Sequence, residues 1–343
     1  VQRILERGQI ESLDHISIAR LRLPPTDGVF GSRAARLRKL AAGAISGTPV
    51  SPELSGYCLL MADVVDAQNG VFASLIDVNA DPEHPDQDTL DLARQHGMPT
   101  LPAFGDRPAI WYTIFERLLI ALEPTLAARP QLAPVLAALQ VLDKNTLDAL
   151  ADAVLAQRTE ALDPAQAPFV AAALQVLWTY RSSKLALKDV PALETGTLCP
   201  VCGSPPVASV IRIGGQSQGY RYLHCGLCAS EWHMVRVKCS HCEKNANIAY
   251  QGLDGRSNTG DETDNGQKTD APLTNKANDP QKVIRAETCD DCHTYRKIVN
   301  QEHDYEVDPL ADDLASLMLD VLVTEAGYTR ASMNPLLWFG APE

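Results

Sequence analysis

Eight of the nine cysteines fall in four Cys-x-x-Cys pairs, all within the stretch from Cys199 to Cys292. The pairs are Cys199/Cys202, Cys225/Cys228, Cys239/Cys242 and Cys289/Cys292. A thiolate pair with two intervening residues wraps its backbone around one metal ion, and two such pairs complete a tetrahedral all-sulfur set. Eight thiols therefore make two closed sites. A closed site holds structure or carries an electron and leaves no position open for a substrate, which points away from metal-assisted hydrolysis.

The spacers suggest how the pairs combine. There are 22 residues between Cys202 and Cys225, 10 between Cys228 and Cys239, and 46 between Cys242 and Cys289. The gap of 10 suits a linker between two sites better than a hairpin within one. The expected sets are Cys199, Cys202, Cys225 and Cys228 for one ion, and Cys239, Cys242, Cys289 and Cys292 for the other. A cross-brace, in which alternate pairs share an ion, is the competing arrangement. Four thiolates suit zinc, stapling ribbons too small for a core of their own, and equally a single rubredoxin-like iron; spacing does not separate them.

His224, His241 and His293 each adjoin a ligand cysteine, and His233 and His303 lie close by. With eight thiolates filling two sites, these are expected beside the metal or on the surface rather than on it. The string Cys289-Asp290-Asp291-Cys292-His293 matches the c-type haem attachment pattern. The pair is needed to complete the fourth half-site, so haem is set aside. Cys58 stands alone in an apolar helical run and reads as a small buried hydrophobe.

Around the ribbons the expected fold class is α+β. Residues 1–30, with a break at Pro24 and Pro25, read as an N-terminal arm. Residues 31–186 read as an all-α domain of six or seven helices. One carries Arg33, Arg36, Arg38 and Lys39, with Leu37 and Leu40 on its buried side; the next has Leu54, Cys58, Met61 and Val65 at helical spacing. A wider stripe from Ile110 to Leu122 is expected to end at Pro124, and Asp163-Pro164 to open a later helix. Residues 197–238 form the first four-cysteine ribbon and 239–303 the second. Inside the latter, residues 254–281 are nearly devoid of apolar side chains and are expected to be a mobile loop. Residues 308–343 close the chain as a helix and tail. Asp308-Pro309 starts that helix, Leu310, Leu314, Leu317, Met318, Val321 and Leu322 line its buried face, and Gly327 stops it. The tail Asn334 to Phe339 is expected to tuck into a groove.

The net charge of −13 opposes a general affinity for nucleic acid or an anionic membrane. No run reaches the 18 uninterrupted apolar residues of a membrane helix, the longest candidate being Ile110–Leu122, and the first ten residues lack an apolar signal core. The chain is therefore expected in the cytoplasm, where paired cysteines bind metal rather than form disulfides. A local basic cluster competes with this picture. Arg212, Arg221, Arg236 and Lys238 are interleaved with Tyr220, Tyr222 and Trp232, the raw material of a nucleic-acid-binding zinc ribbon. A rubredoxin-type electron carrier is the third class. No nucleophile elbow, P-loop or dinucleotide fingerprint occurs in the required context, so no catalytic residue is nominated.

The strings CPVCGSPPVASV, RYLHCGLCASEWHMVRVKCSHCE and AETCDDCHTY, with DDLASLMLD, NPLLW and the Arg-rich GSRAARLRKLA, resemble the formate dehydrogenase accessory protein family, FdhE. The resemblance is clear from Leu198 to Trp338, less the polar loop. It implies a cytoplasmic, non-enzymatic assembly factor for respiratory formate dehydrogenase, binding the catalytic subunit before export through the twin-arginine route. It implies two rubredoxin-like sites, with the eight paired cysteines as ligands and iron, or alternatively zinc, as the metal. The polar stretch Asp254–Gln281 is longer than the resemblance leads one to expect.

Overall fold

The computed structural model describes residues 18–43, 50–81, 83–158, 160, 162–253, 257–259 and 282–337. Seven α-helices come first: α1 (Phe30–Ala41), α2 (Pro52–Asp77), α3 (Gln87–His96), α4 (Ile110–Ala127), α5 (Ala133–Gln140), α6 (Lys144–Leu155) and α7 (Ala167–Ser183). Side-chain oxygens of Ser51, Asp86 and Asp143 cap α2, α3 and α6 by accepting the N–H three residues on. The αL residue Gly97 ends α3. Helix α7 is buried on every side from Ala167 to Ser182, as an all-round apolar helix must be, and forms the axis of the bundle. Gln68 on α2 donates to Ala172 O and Gln175 Oε1 on α7, and Phe30, Phe72 and Tyr180 stack edge to face between α1, α2 and α7.

Two local readings of the bundle need correction. Helix α4 does not stop at Pro124 but runs on to Ala127. The proline frees only the carbonyl of Ile120, a residue on the exposed side of the helix, so the missing hydrogen bond falls on the solvent side near the helix end. Helix α7 starts at Ala167, with Pro168 in its first turn, while Asp163 closes a separate turn by accepting from Ala165 N. The longest apolar helix is α2, not the Ile110–Leu122 run. It is the one described helix long and apolar enough to cross a membrane, yet it carries Asp63 and Asp66 and buries Cys58, Met61, Val65 and Phe72 in the core.

Among the described residues, nine strands follow or flank the bundle: β1 (Leu21–Arg22), β2 (Pro206–Ile211), β3 (Arg221–Cys225), β4 (Glu231–His233), β5 (Ile248–Gln251), β6 (Ser257–Thr259), β7 (Ile284–Cys289), β8 (Thr294–Asn300) and β9 (Thr329–Arg330). They form one mixed sheet in the order β1-β4-β3-β2-β8-β7-β5-β6, with β9 beside β8. Each ribbon contributes an antiparallel triplet, β2-β3-β4 and β5-β7-β8. The triplets are welded by parallel pairing of β2 with β8, Ser209 opposite Ile298. Of the polar stretch 254–281, only Ser257–Thr259 is described, and those residues pair with β5; the expected mobility of the remainder, and the placement of Trp338 and Phe339, lie outside the described residues.

The C-terminal helix is broken. Asp308 caps α8 (Pro309–Ala315) by accepting from Leu310 N and Ala311 N, and α9 (Leu317–Glu325) follows after Ser316. Buried Lys297 on β8 donates to Asp313 O, Ser316 O and Ser316 Oγ, taking the carbonyls that a continuous helix needs. The face turns with the break. Leu310, Leu314, Leu319 and Val323 are buried, whereas Met318, Val321 and Leu322, expected inside, are exposed. Gly327 (φ 94°) does end the run. The following segment tucks in as expected: Asn334 and Leu336 are buried, and Tyr57 donates to Leu336 O.

The Arg-rich helix meets this segment. Arg36, wholly buried, forks onto Asp312 (2.5 and 2.9 Å) and donates to Asp304 (2.6 Å), while Arg33 pairs with Asp308 (3.0 Å). Two of the four basic residues of α1 are thus interior clamps. Arg38 and Lys39 make exposed pairs with Asp63, Asp66 and Glu306.

Candidate metal centres

All four Cys-x-x-Cys pairs adopt one backbone design. The residue after each knuckle's second cysteine sits in the left-handed region: Gly203 (φ 78°), Ala229 (56°), Glu243 (63°) and His293 (52°). From there its N–H returns to the carbonyl of the knuckle's first cysteine, at 2.8, 3.2, 3.1 and 2.8 Å respectively. Only one of the four is glycine. The tight loop therefore imposes strain at three non-glycine residues, the kind of local cost that persists where the surroundings over-determine the conformation.

The sulfurs gather in sequence order. Cys199, Cys202, Cys225 and Cys228 form one group and Cys239, Cys242, Cys289 and Cys292 the other, with the sulfurs of each group all within 4.8 Å of one another. In the first, Cys199 Sγ lies 3.5 Å from Cys228 Sγ and Cys202 Sγ 3.4 Å from Cys225 Sγ. In the second, the pairs Cys239/Cys292 and Cys242/Cys289 are both 3.8 Å apart. The arrangement is sequential and rules out the cross-brace. Four convergent soft sulfurs at these separations fit a tetrahedral thiophilic ion, zinc or iron.

The two groups sit in different surroundings. In the first, no cysteine is more than 1% exposed. Its core is shared with the bundle rather than its own: Thr100, Leu101 and Ala103 donate their N–H to Pro200, Val201 and Cys202 carbonyls, Trp178 Nε1 donates to Leu101 O, and Gln175 Nε2 to Gly226 O. Burial pushes the thiols of Cys199 and Cys225 well above the ordinary range, whereas the neighbouring sulfurs and Ser230 bring Cys228 down against its burial; a cation held among them would let all four exist as thiolates. In the second, Cys239 and Cys289 are buried but Cys242 and Cys292 are half-exposed. Burial pushes Cys239 up to about 12. Burial opposes ionisation of Cys292 as well, but the hydroxyl and N–H of Thr294 outweigh it and bring that thiol down. Ser230 Oγ, 3.3 Å from Cys228 Sγ, and Thr294 Oγ1, 3.1 Å from Cys292 Sγ, hold equivalent places in the two knuckles.

The five histidines near the cysteines in sequence are not part of either group of sulfurs. His224 is buried with Nδ1 2.9 Å from Glu231 Oε1; His241 and His293 are exposed; His233 packs against Tyr220 and Tyr222. Cys289 and Cys292 are both engaged in the second group, which removes the haem reading. Cys58 is fully buried in α2, its thiol pushed up to about 11 by burial.

The basic cluster that suggested nucleic acid is consumed internally. Arg212 pairs with Glu231, Lys238 with Glu243, and fully buried Arg221 with Glu287 at 2.6 Å; Tyr222 and Trp232 are core residues. Arg236 alone of the four basic residues stays exposed, donating to Gly219 O. What sequence reasoning missed is Arg296. It is buried between the ribbons, donating from Nε to Ser240 Oγ inside the third knuckle (2.9 Å) and from Nη1 to Ser332 Oγ and Pro206 O. Burial draws its guanidinium down to about 9, against the pull of Glu287. The sole sequence signal was a charge in the middle of a strand.

A helical bundle joined to a sheet that carries two four-cysteine clusters defines a protein built around two candidate metal centres. The comparisons give the class its family. Models of the FdhE N-terminal region, central domain and C-terminal domain match residues 18–194, 198–236 and 237–337. The chain is 38% identical over 331 residues to a protein FdhE homolog of Edwardsiella ictaluri, covering 94% of this chain and 92% of that one. It is 34% identical to protein FdhE of Escherichia coli over 347 residues, covering 98% and 97%. The crystal structure of the FdhE protein from Pseudomonas aeruginosa superposes with a TM-score of 0.72 at 35% identity, covering 94% of this chain and all of that one. The chain belongs to the FdhE family.

Proposed function

We propose that this chain is a non-catalytic, cytoplasmic assembly factor that recognises the immature catalytic subunit of a respiratory formate dehydrogenase before its twin-arginine export. The observation that carries the reading is the match to the FdhE family along nearly the whole chain, with both four-cysteine groups complete. The ligands are Cys199, Cys202, Cys225 and Cys228 for one ion and Cys239, Cys242, Cys289 and Cys292 for the other. Iron of the rubredoxin type is the metal the family resemblance favours, with zinc the alternative that the same sulfurs accept. When bound, the ion fixes four thiolates in place and, if iron, holds an exchangeable electron. The net charge of −13 suits a basic patch or basic leader on the partner.

The test is capture of the catalytic subunit by the tagged chain, paired with formate dehydrogenase activity in a deletion strain. The reading expects specific capture and loss of activity that the gene restores. Absence of capture together with full activity in the deletion strain would end it.

A further inference from the structure

The two groups of sulfurs differ in what can reach them. Around the first, Pro99 packs on Gly203 and Pro335 on Gly226; the loop residues Gly203, Gly226 and Leu227 are half-buried, but all four cysteines beneath them are buried. Three backbone N–H groups of the segment 100–103 tie the first knuckle down as well. An incoming ligand must open the seam between bundle and sheet to touch any of the four sulfurs.

The second group stands at the far side of the β2–β8 weld. Its outward cysteines, Cys242 and Cys292, are the second members of their knuckles. The residues around them, His241, Lys244, Asp290, Asp291 and His293, are all exposed. Cys239 Sγ faces the N–H groups of His241 and Cys242 and lies on the buried side, so the inner half of the centre stays fixed while the outer half meets solvent.

We propose that the second centre is an exchange site, passing its ion to and from thiol-bearing donors by way of Cys242 and Cys292, while the first centre keeps its ion as long as the chain is folded. The proposal rests on the ligand assignment above and adds a division of labour to it. In the exchange step an incoming thiol would replace Cys242 or Cys292 as a sulfur donor and pass its proton to the displaced cysteine, so no electron moves. The inner cysteines, Cys239 and Cys289, would hold the ion meanwhile.

The experiment uses the full chain loaded with zinc or iron. Counting two equivalents per chain checks the ligand assignment, and the order of their departure checks the exchange proposal. Excess 4-(2-pyridylazo)resorcinol should draw off one equivalent quickly and the second about 10-fold more slowly or slower still, the scale set by lost supporting contacts around a metal. Brief iodoacetamide treatment of the same sample, mapped by peptide mass, should label Cys242 and Cys292 first and leave Cys199, Cys202, Cys225 and Cys228 unmodified. Release of both equivalents at one rate, or early labelling of the first four cysteines, would overturn the proposal.

Discussion

The same knuckle, built four times with the same hydrogen bonds, yields one centre sealed in the seam between bundle and sheet and another on the rim of the sheet. The difference is not in the ligands or the local loop but in what packs on top. Segment 97–103, α7 and the segment around Pro335 close over the first centre, whereas solvent meets half of the second. Identical sets of four sulfurs can therefore lie in a sealed core in one place and at an accessible rim in another. Loop closure alone would have ranked the two by the 46-residue spacer of the second, making that centre the more metal-dependent. Burial adds a larger consideration, because the first group of cysteines lies in a core that the bundle shares.

The comparison is tested hardest by removing each ion in turn. Cys199→Ser with Cys202→Ser should lose the first ion and lower the urea transition of the helical circular-dichroism signal by several kcal/mol, a fraction of the roughly 10–16 kcal/mol that a structural ion brings. Cys239→Ser with Cys242→Ser should lose only the second ion. That variant should speed proteolysis near 289–295 and move the helical transition by less than about 1 kcal/mol. Equal shifts from the two variants would erase the distinction.

Arg296→Met comes next in size. It removes the buried guanidinium that ties Ser240 of the third knuckle to Pro206 and Ser332, and leaves polar atoms without partners. A loss of about 3 kcal/mol is expected. The second centre should release its metal faster, and the first should be unchanged.

Acid provides a third probe, aimed at the first ribbon. Glu231 on β4 is buried, and Arg212 and His224 hold its carboxyl far below the ordinary glutamate value near 4.5 despite desolvation. A carboxylate with a depressed folded pKa contributes stability that is present above the unfolded value and lost as pH falls below it. Between about pH 5 and about pH 3, wild type should therefore lose about 2 kcal/mol more than Glu231→Gln. Thiolate protonation is common to both chains and cancels in the difference. Parallel pH profiles for the two would contradict the assignment.

The smallest effects come from the matched hydroxyls. Ser230→Ala and Thr294→Val each delete one contact to a sulfur, worth about 1 kcal/mol. Metal-competition titrations should show the larger loss at Ser230, because no water can replace it beside buried Cys228, while water can reach Cys292.

Much of this was legible in the residues. Cys-x-x-Cys spacing with a 10-residue link gave the sequential grouping, and helical periodicity gave the bundle. Asp308-Pro309 announced its own cap. What failed depended on partners distant in sequence. Met318, Val321 and Leu322 fit an apolar stripe, but Lys297 breaks the helix at Ser316 and turns them outward. Nothing near Arg33 and Arg36 in the sequence marks them as buried; their partners Asp308 and Asp312 lie about 275 positions away. Nothing local marks segment 97–103 as the lid of the first centre, because apart from Pro99 on Gly203 its ties to the knuckle are backbone hydrogen bonds, which any residue but proline can make.

The central claim, that one centre belongs to the folded core and the other to its rim, is most directly tested by amide hydrogen exchange on the metal-loaded chain. The N–H groups of Thr100, Leu101, Ala103 and Gly203, all bonded to the first knuckle, should exchange only through global unfolding. Those of His241, Cys242, Glu243 and His293 should exchange about 100-fold faster or more, through local opening. One common rate for both sets, or faster exchange at the first knuckle, would contradict the account.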